Sequence, residues 1–363
     1  MSQATLIDAR VDLDNETGIL AIDPAGMLKA LWDLPEQCAE ALRITQEFNP
    51  PREYAAVSGI MVTGLGGSAI GGDLLRVYVS GKSRVPVVVN RDYVLPEFVS
   101  DKTLVFAVSY SGNTEETLSA YAQARKKQAK IIALTTGGRL KEMAQQDGVP
   151  VITIPGGISP RAATGYLFIP TVVTLAKLGM IPDVTGEIGD LITNLEGLRE
   201  KFKPAAPVTD NQAKQIARRL FNKIPLIWGA GSTTEVVATR WKGQINENSK
   251  AMAYWNIFPE LNHNEIVGFE KPEELLNQLE VIILRDQADH PRVQKRMEVS
   301  KTIIKDKVSG VTEVWSSGAS VLARTFSLTY TGDYVSVYLA ALYGIDPSPV
   351  KMIDYLKNEL AKA

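Results

Sequence analysis

The sequence predicts an α/β protein of two similar halves, each a parallel sheet flanked by helices in three layers. Three observations carry this expectation. Short, almost wholly apolar runs alternate with stretches long enough for a crossover helix, as where Thr103–Val108 precedes Glu115–Lys127. Strands covered on both faces read as continuous apolar runs, so the alternation points to parallel sheets. A glycine turn, Gly64 with Gly66, recurs 165 residues later as Gly229 with Gly231, each time between an apolar run and a helical pattern. That spacing reads as an internal duplication. The third is size: 363 residues, 45% hydrophobic and 22% charged, suffice for two ordinary cores.

The elements follow in order. Pro24 to Thr45 reads as an N-terminal helical region. Strands are expected at Gly59–Thr63, Val85–Asn90, Thr103–Val108, Lys130–Leu134 and Val151–Ile154, then helices at Gly165–Leu178 and Glu187–Phe202. The segment Lys203-Pro204-Ala205-Ala206-Pro207 reads as a linker, which divides the chain into residues 1–202 and 203–363. A second round gives strands at Ile224–Trp228, Ala251–Ile257, Glu280–Leu284 and Val311–Trp315, then a long helix from Ser320 to Tyr343.

Composition narrows the function classes. A net charge of −2 gives no reason to expect a nucleic acid or an anionic membrane as partner. The single cysteine, Cys38, rules out an intramolecular disulfide and a cysteine metal cluster. Met1 to Thr17 is acidic and lacks a basic-then-apolar signal pattern. The most apolar helical stretch, Tyr166 to Met180, is broken by Pro170 and Lys177 and is too short to span a bilayer. A soluble, cytoplasmic protein is expected.

Two turns carry the chemistry. After the strand ending at Val108 comes Ser109-Tyr110-Ser111-Gly112-Asn113-Thr114, opening a helix at Glu115. Hydroxyls and unsatisfied N–H groups at a helix N-terminus suit a phosphate-sized anion. Asn113 with Glu116 is also the pattern of a plain capping box. Upstream, Thr63-Gly64-Leu65-Gly66-Gly67-Ser68 links another strand to another helix. It resembles a dinucleotide turn, but Ser68 offers a phosphate-seeking hydroxyl and the next strand ends at Asn90 without the expected ribose-binding acid. Asp92 lies close by, so a nucleotide stays as the alternative. In the second half the place of Ser109–Thr114 is taken by Arg285-Asp286-Gln287-Ala288-Asp289. A single phosphate site, in the first half, is expected.

For acid–base work the chain offers two histidines. His290 reads as an exposed residue at a helix start. His263 lies in the polar run Leu261-Asn262-His263-Asn264-Glu265, where a loop could aim an imidazole into a cleft, or hold a structural histidine. Glu247 ends a helix whose buried stripe is Val237, Trp241 and Ile245, and it faces away from that stripe. The plain reading is a solvated carboxylate at a helix end, but a glutamate there opposes the helix dipole, a modest hint of use rather than stability. Arg161, in a strand-to-helix loop, could offset a developing oxyanion or pair with a surface acid.

Taken together, Gly64-Leu65-Gly66-Gly67-Ser68, Ser109–Thr114, Pro160-Arg161-Ala162-Ala163, Asn246-Glu247-Asn248-Ser249-Lys250 and Leu261–Glu265 closely resemble the bifunctional phosphoglucose/phosphomannose isomerases of the sugar isomerase (SIS) superfamily. The likeness runs in order over nearly the whole chain. It implies two SIS domains, each with a five-stranded parallel sheet, and a homodimer with active sites at the subunit interface. It implies that Gly67, Ser68, Ser109, Ser111 and Thr114 bind the phosphate of a hexose 6-phosphate. Glu247 would move the proton between C2 and C1, Arg161 would stabilise the cis-enediolate, and His263 from the neighbouring subunit would assist ring opening. Lys357 matches a C-terminal lysine that the family uses, while Val350 stands where some members carry a polar residue linked to mannose acceptance. Such chemistry requires neither a metal nor a redox cofactor, and no cofactor is expected. Two further readings stand beside it: an aminating SIS isomerase, which would need an N-terminal cysteine, and a sugar-phosphate sensor without turnover.

Overall fold

The computed structural model describes residues 9–360 and Lys362; the first part of the acidic start, residues 1–8, lies outside them. By contact the chain forms two compact units, each assembled from separate stretches. One comprises Asp33–Glu196 with Ser317–Phe326, the other residues 9–32, Gly197–Ser316 and residues 327–360.

In the first unit β1 (Gly59–Thr63), β2 (Val87–Asn90), β3 (Thr103–Val108), β4 (Lys130–Thr135) and β5 (Val151–Thr153) form one parallel sheet ordered β2-β1-β3-β4-β5. Residues pointing to opposite faces are equally buried. Ile60, Val62, Leu104 and Phe106 are fully shielded, and so are their alternates Met61, Val105 and Ala107. That double burial is why the strands read as unbroken apolar runs. One face packs on Ala120, Tyr121 and Ala124 of the helix Glu115–Lys126 and on Leu140 and Ala144 of the helix Gly138–Gln146. On the other lies the helix Gly67–Val79, close enough that a Cβ on Gly72 would sit 2.8 Å from Val62 Cγ1.

The second unit has β6 (Ile224–Ala230), β7 (Tyr254–Phe258), β8 (Leu279–Arg285) and β9 (Gly310–Trp315), all parallel, in the order β7-β6-β8-β9. This repeats the connectivity of β2-β1-β3-β4, as a duplication requires. The expected fifth strand is absent among the described residues. The residue pattern holds only four apolar runs here, and beyond β9 the serine- and glycine-rich residues 316–320 lead straight into the helix Val321–Tyr343.

That helix is buried nearly all round, polar residues included, the mark of a helix enclosed by its own protein. Tyr330, Tyr334 and Tyr338 follow one another along it, the first pair edge to face and the second tilted, with ring centroids 5.0 and 6.0 Å apart. Its one buried acid within the second unit, Asp333, accepts two hydrogen bonds from Arg240, at Nε (2.9 Å) and Nη2 (2.8 Å), and a third from Gln244 Nε2 (2.9 Å). Beside it Gly332 leaves room for the indole of Trp241, whose Nε1 donates to the Leu328 carbonyl at 2.8 Å. The segment read as a linker is bonded to a buried cation. The Lys214 ammonium donates to the carbonyls of Leu13, Pro204 and Ala206, each at 2.6 Å, and burial pulls its pKa below the usual lysine range.

No helix among the described residues is long and apolar enough to cross a membrane; the Tyr166–Met180 stretch folds as the helix Thr164–Lys177 with Pro170 inside it.

The Gly332–Trp241 contact gives a stability test. A Cβ on Gly332 would lie 2.2 Å from Trp241 Nε1. Gly332→Ala is expected to cost about 1–3 kcal/mol through overpacking, read as a lower urea midpoint; an unchanged midpoint would mean the ring can step aside.

Candidate active site

β1 and β3 are neighbours whose following helices leave in different directions, so a crevice opens beyond their carboxyl ends, where open α/β sheets bind ligands. Backbone approach shapes it. A Cβ on Gly64 would meet the Val108 carbonyl at 2.8 Å and Ser68 Cβ at 3.0 Å, so the two turns touch. A Cβ on Gly67 would lie 2.7 Å from the Pro160 carbonyl, and this contact brings the loop holding Arg161 onto the start of the helix Gly67–Val79. Gly67, Ser68, Ser109, Ser111, Thr114 and Arg161 therefore belong to one unit. Ser109 is fully buried, Ser68 and Arg161 nearly so, and Ser111 is exposed.

Neither helix facing the crevice has a side-chain cap. Gly66 precedes one at φ 54°, with no side chain to offer. Thr114, not Asn113, caps the other, and its side chain makes no capping bond. The capping-box reading thus gives way to a tertiary contact, because Asn113 Oδ1 accepts from Arg139 N at 3.1 Å. Thr114 Oγ1 instead lies 3.0 Å from Ser109 Oγ, which also accepts from Gly112 N at 3.1 Å, while Ser111 Oγ accepts from Asn113 N at 3.2 Å. Gly112 takes φ 72° with Gly137 O 1.9 Å from where a Cβ would stand, so glycine alone fits there. Hydroxyls converge where helical N–H groups lack side-chain partners, which suits an anion.

The matching crevice of the second unit is spent internally. Thr234 Oγ1 accepts from Ala230 N at 2.8 Å, and Thr233 donates to Asp289 Oδ1 at 2.5 Å. Asp289 is buried and accepts from Asp286 N at 2.9 Å; burial raises its pKa, against these hydrogen bonds. A built-in carboxylate fills this position.

Glu247 is half-buried, in the last turn of the helix Glu235–Asn248. Val237, Trp241 and Ile245 of that helix are fully buried, as their spacing predicts. Sequence reasoning missed its second buried stripe, Arg240, Gln244 and Asn248, which grips Asp333 and Ser336. A lone aspartate within an apolar helix was the available signal. Glu247 lines a cleft of about 630 Å³ with Asn246, Lys250, Asp346, Val350 and Met352 among its walls. Lys357 is an exposed residue of the helix Lys351–Leu360, whose first turn forms part of that wall. His263 ends a short 3-10 helix, Glu260–His263, is exposed, and is not among the residues lining the cleft. His290 is exposed, as expected, and its Nδ1 accepts from Arg292 N at 3.1 Å.

Comparison with known proteins gives the class first. Residues 54–156 match the SIS domain family, and residues 209–360 match the bacterial phospho-glucose isomerase C-terminal SIS domain. Two SIS domains make up this protein. A crystal structure of a hypothetical protein from Thermus thermophilus superposes with a TM-score of 0.71 at 17% identity, covering 96% of this chain and 93% of that one, which shows the shared fold. Among curated proteins, a bifunctional phosphoglucose/phosphomannose isomerase from Caldicellulosiruptor bescii is 55% identical over 93% of this chain and 99% of its own. One from Aquifex aeolicus is 39% identical over 86% and 93%. The chain belongs to the bifunctional phosphoglucose/phosphomannose isomerase family.

The Gly67 contact yields a prediction. Gly67→Ala drives its methyl into the Pro160 carbonyl and must push the Arg161 loop aside. Affinity for a phosphorylated hexose is expected to fall about ten-fold or more by calorimetry, with inorganic phosphate less affected. Unchanged hexose phosphate affinity would detach that loop from binding.

Proposed function

We propose that this protein interconverts glucose 6-phosphate and mannose 6-phosphate with fructose 6-phosphate. Family membership at 55% identity to a bifunctional isomerase carries the reading, supported by the uncapped hydroxyl cradle and by a half-buried carboxylate in a cleft.

In this scheme Ser68, Ser109, Ser111 and Thr114, with the Gly67 backbone, anchor the phosphate. Glu247 takes the proton from C2 of the open-chain aldose. The C–H electron pair becomes the C1–C2 double bond, and the carbonyl pair moves onto oxygen as an enediolate. The Arg161 guanidinium offsets that charge. Protonated Glu247 then returns the proton to C1, and a hydroxyl proton passes between O2 and O1, so atoms and charge balance. Glucose and mannose 6-phosphates differ only at C2 and give the same planar intermediate, so one base serves both. His263 of the partner subunit assists ring opening in a homodimer, and Lys357 completes the group. The protein acts in the cytoplasm on small phosphosugars and needs no cofactor.

The test is a coupled assay with each hexose phosphate in parallel, with and without chelator. Glu247→Gln should still bind fructose 6-phosphate while its turnover falls about 10²–10⁴-fold. Retained turnover would remove Glu247 from the mechanism, and binding without turnover in the unaltered protein would favour a sensor. Chelator is expected to leave the rates unchanged. Val350→Thr, in the wall beside Glu247, should raise the rate with mannose 6-phosphate relative to glucose 6-phosphate.

A further inference from the structure

The helix that carries Glu247 ends on a residue whose backbone is ill suited to its side chain. Ser249 caps the helix with an αR backbone, its N–H reaching the Ile245 carbonyl. Lys250 follows at φ 55°, the left-handed position where helices usually place glycine or asparagine. A strained backbone conformation that persists in a fold points to a use for the residue.

The use is visible in what the side chain joins. Lys250 Nζ donates to the Glu247 carbonyl at 2.6 Å and to the Pro347 carbonyl at 2.9 Å. Glu247 stands on one wall of the cleft, and the loop from Ile345 to Val350 forms another. One ammonium therefore ties the two walls together through the backbone of Glu247 and of Pro347. It also sits at the negative end of the helix dipole, where a cation is favoured. Because Lys250 is exposed, its bonds form in competition with water and add little to folding stability. Stability alone would place glycine here.

We infer that Lys250 is a positioning residue: its ammonium sets the spacing between Glu247 and the 345–350 loop, and so the aim of the carboxylate at the substrate carbon. The inference rests on the reading of Glu247 as the base. It makes stability and rate move in opposite directions. Lys250→Gly relieves the backbone and is expected to hold or raise the melting temperature. At the same time kcat should fall about ten- to hundred-fold through misplacement of the carboxylate, with KM within about two-fold. Deuterium at C2 of glucose 6-phosphate should then slow kcat more in the variant than in the parent, since C–H cleavage has become harder. Lys250→Arg keeps the strain and a donor, and should recover part of the rate.

Lys250→Asn, also tolerated in left-handed backbone, provides the same contrast should the glycine variant fold poorly. Parental kcat and isotope effect in a folded glycine or asparagine variant would overturn the inference, as would a rate loss matched by a fall in melting temperature in both. Glu247→Gln run alongside separates the two ideas. If it turns over, the base assignment fails; if it is inert while Lys250→Gly runs at full rate, only the role of Lys250 fails.

Discussion

Beyond the carboxyl ends of β1 and β3, backbone approaches backbone more closely than side chains would allow. Gly64 lies against the Val108 carbonyl, Gly67 against Pro160, and Gly112 against Gly137. Each glycine costs conformational entropy on folding, and what it allows is the close approach of the turns that follow β1 and β3. Ser68 and the end of β3 come close only because Gly64 stands between them without a side chain. Arg161 depends on the same constraint, since its loop rests on Gly67. Loosening the glycines would leave every polar group in the chain and still dissolve their arrangement.

Much of this was legible in the sequence, for physical reasons that differ by element. Strands β1 and β3 were found at their exact ends because both faces are buried, leaving no polar residue to blur them. The cradle was legible because its hydroxyls and glycines are contiguous. Asn113 was misread because a local pattern competes with tertiary partners, and Arg139, 26 residues on, took its side chain. For the Arg240–Asp333 pair the sequence offered only the aspartate in its helix: 93 residues separate the two, and nothing local says which cation answers it. The backbone angle of Lys250 had no sequence signature, because lysine is not a residue one expects at φ 55°. The second sheet was expected to hold five strands on family likeness, although the apolar runs numbered four.

The buried pair beneath the Glu247 helix bears on how rigid that helix is. Burying two charges is expensive, and a well-packed apolar pair would often be as stable. Arg240 and Gln244 lie one turn apart and hold a single carboxylate on a neighbouring helix, so rotation of the helix about its axis would break several hydrogen bonds together. An apolar contact would slide more readily. The polar stripe fixes where around the helix Glu247 faces, while at its end the Lys250 ammonium bonds the Glu247 carbonyl.

Duplication of an α/β unit gives two crevices at strand ends, each a place where an anion could sit. In the second copy the Asp289 carboxylate already stands in that turn. Covalently tethered and bonded to Thr233 and the Asp286 amide, it has the occupancy of a ligand that never dissociates. The second copy thus closes its own turn with side chains of the same unit, while in the first the helix start keeps its N–H groups without a side-chain cap.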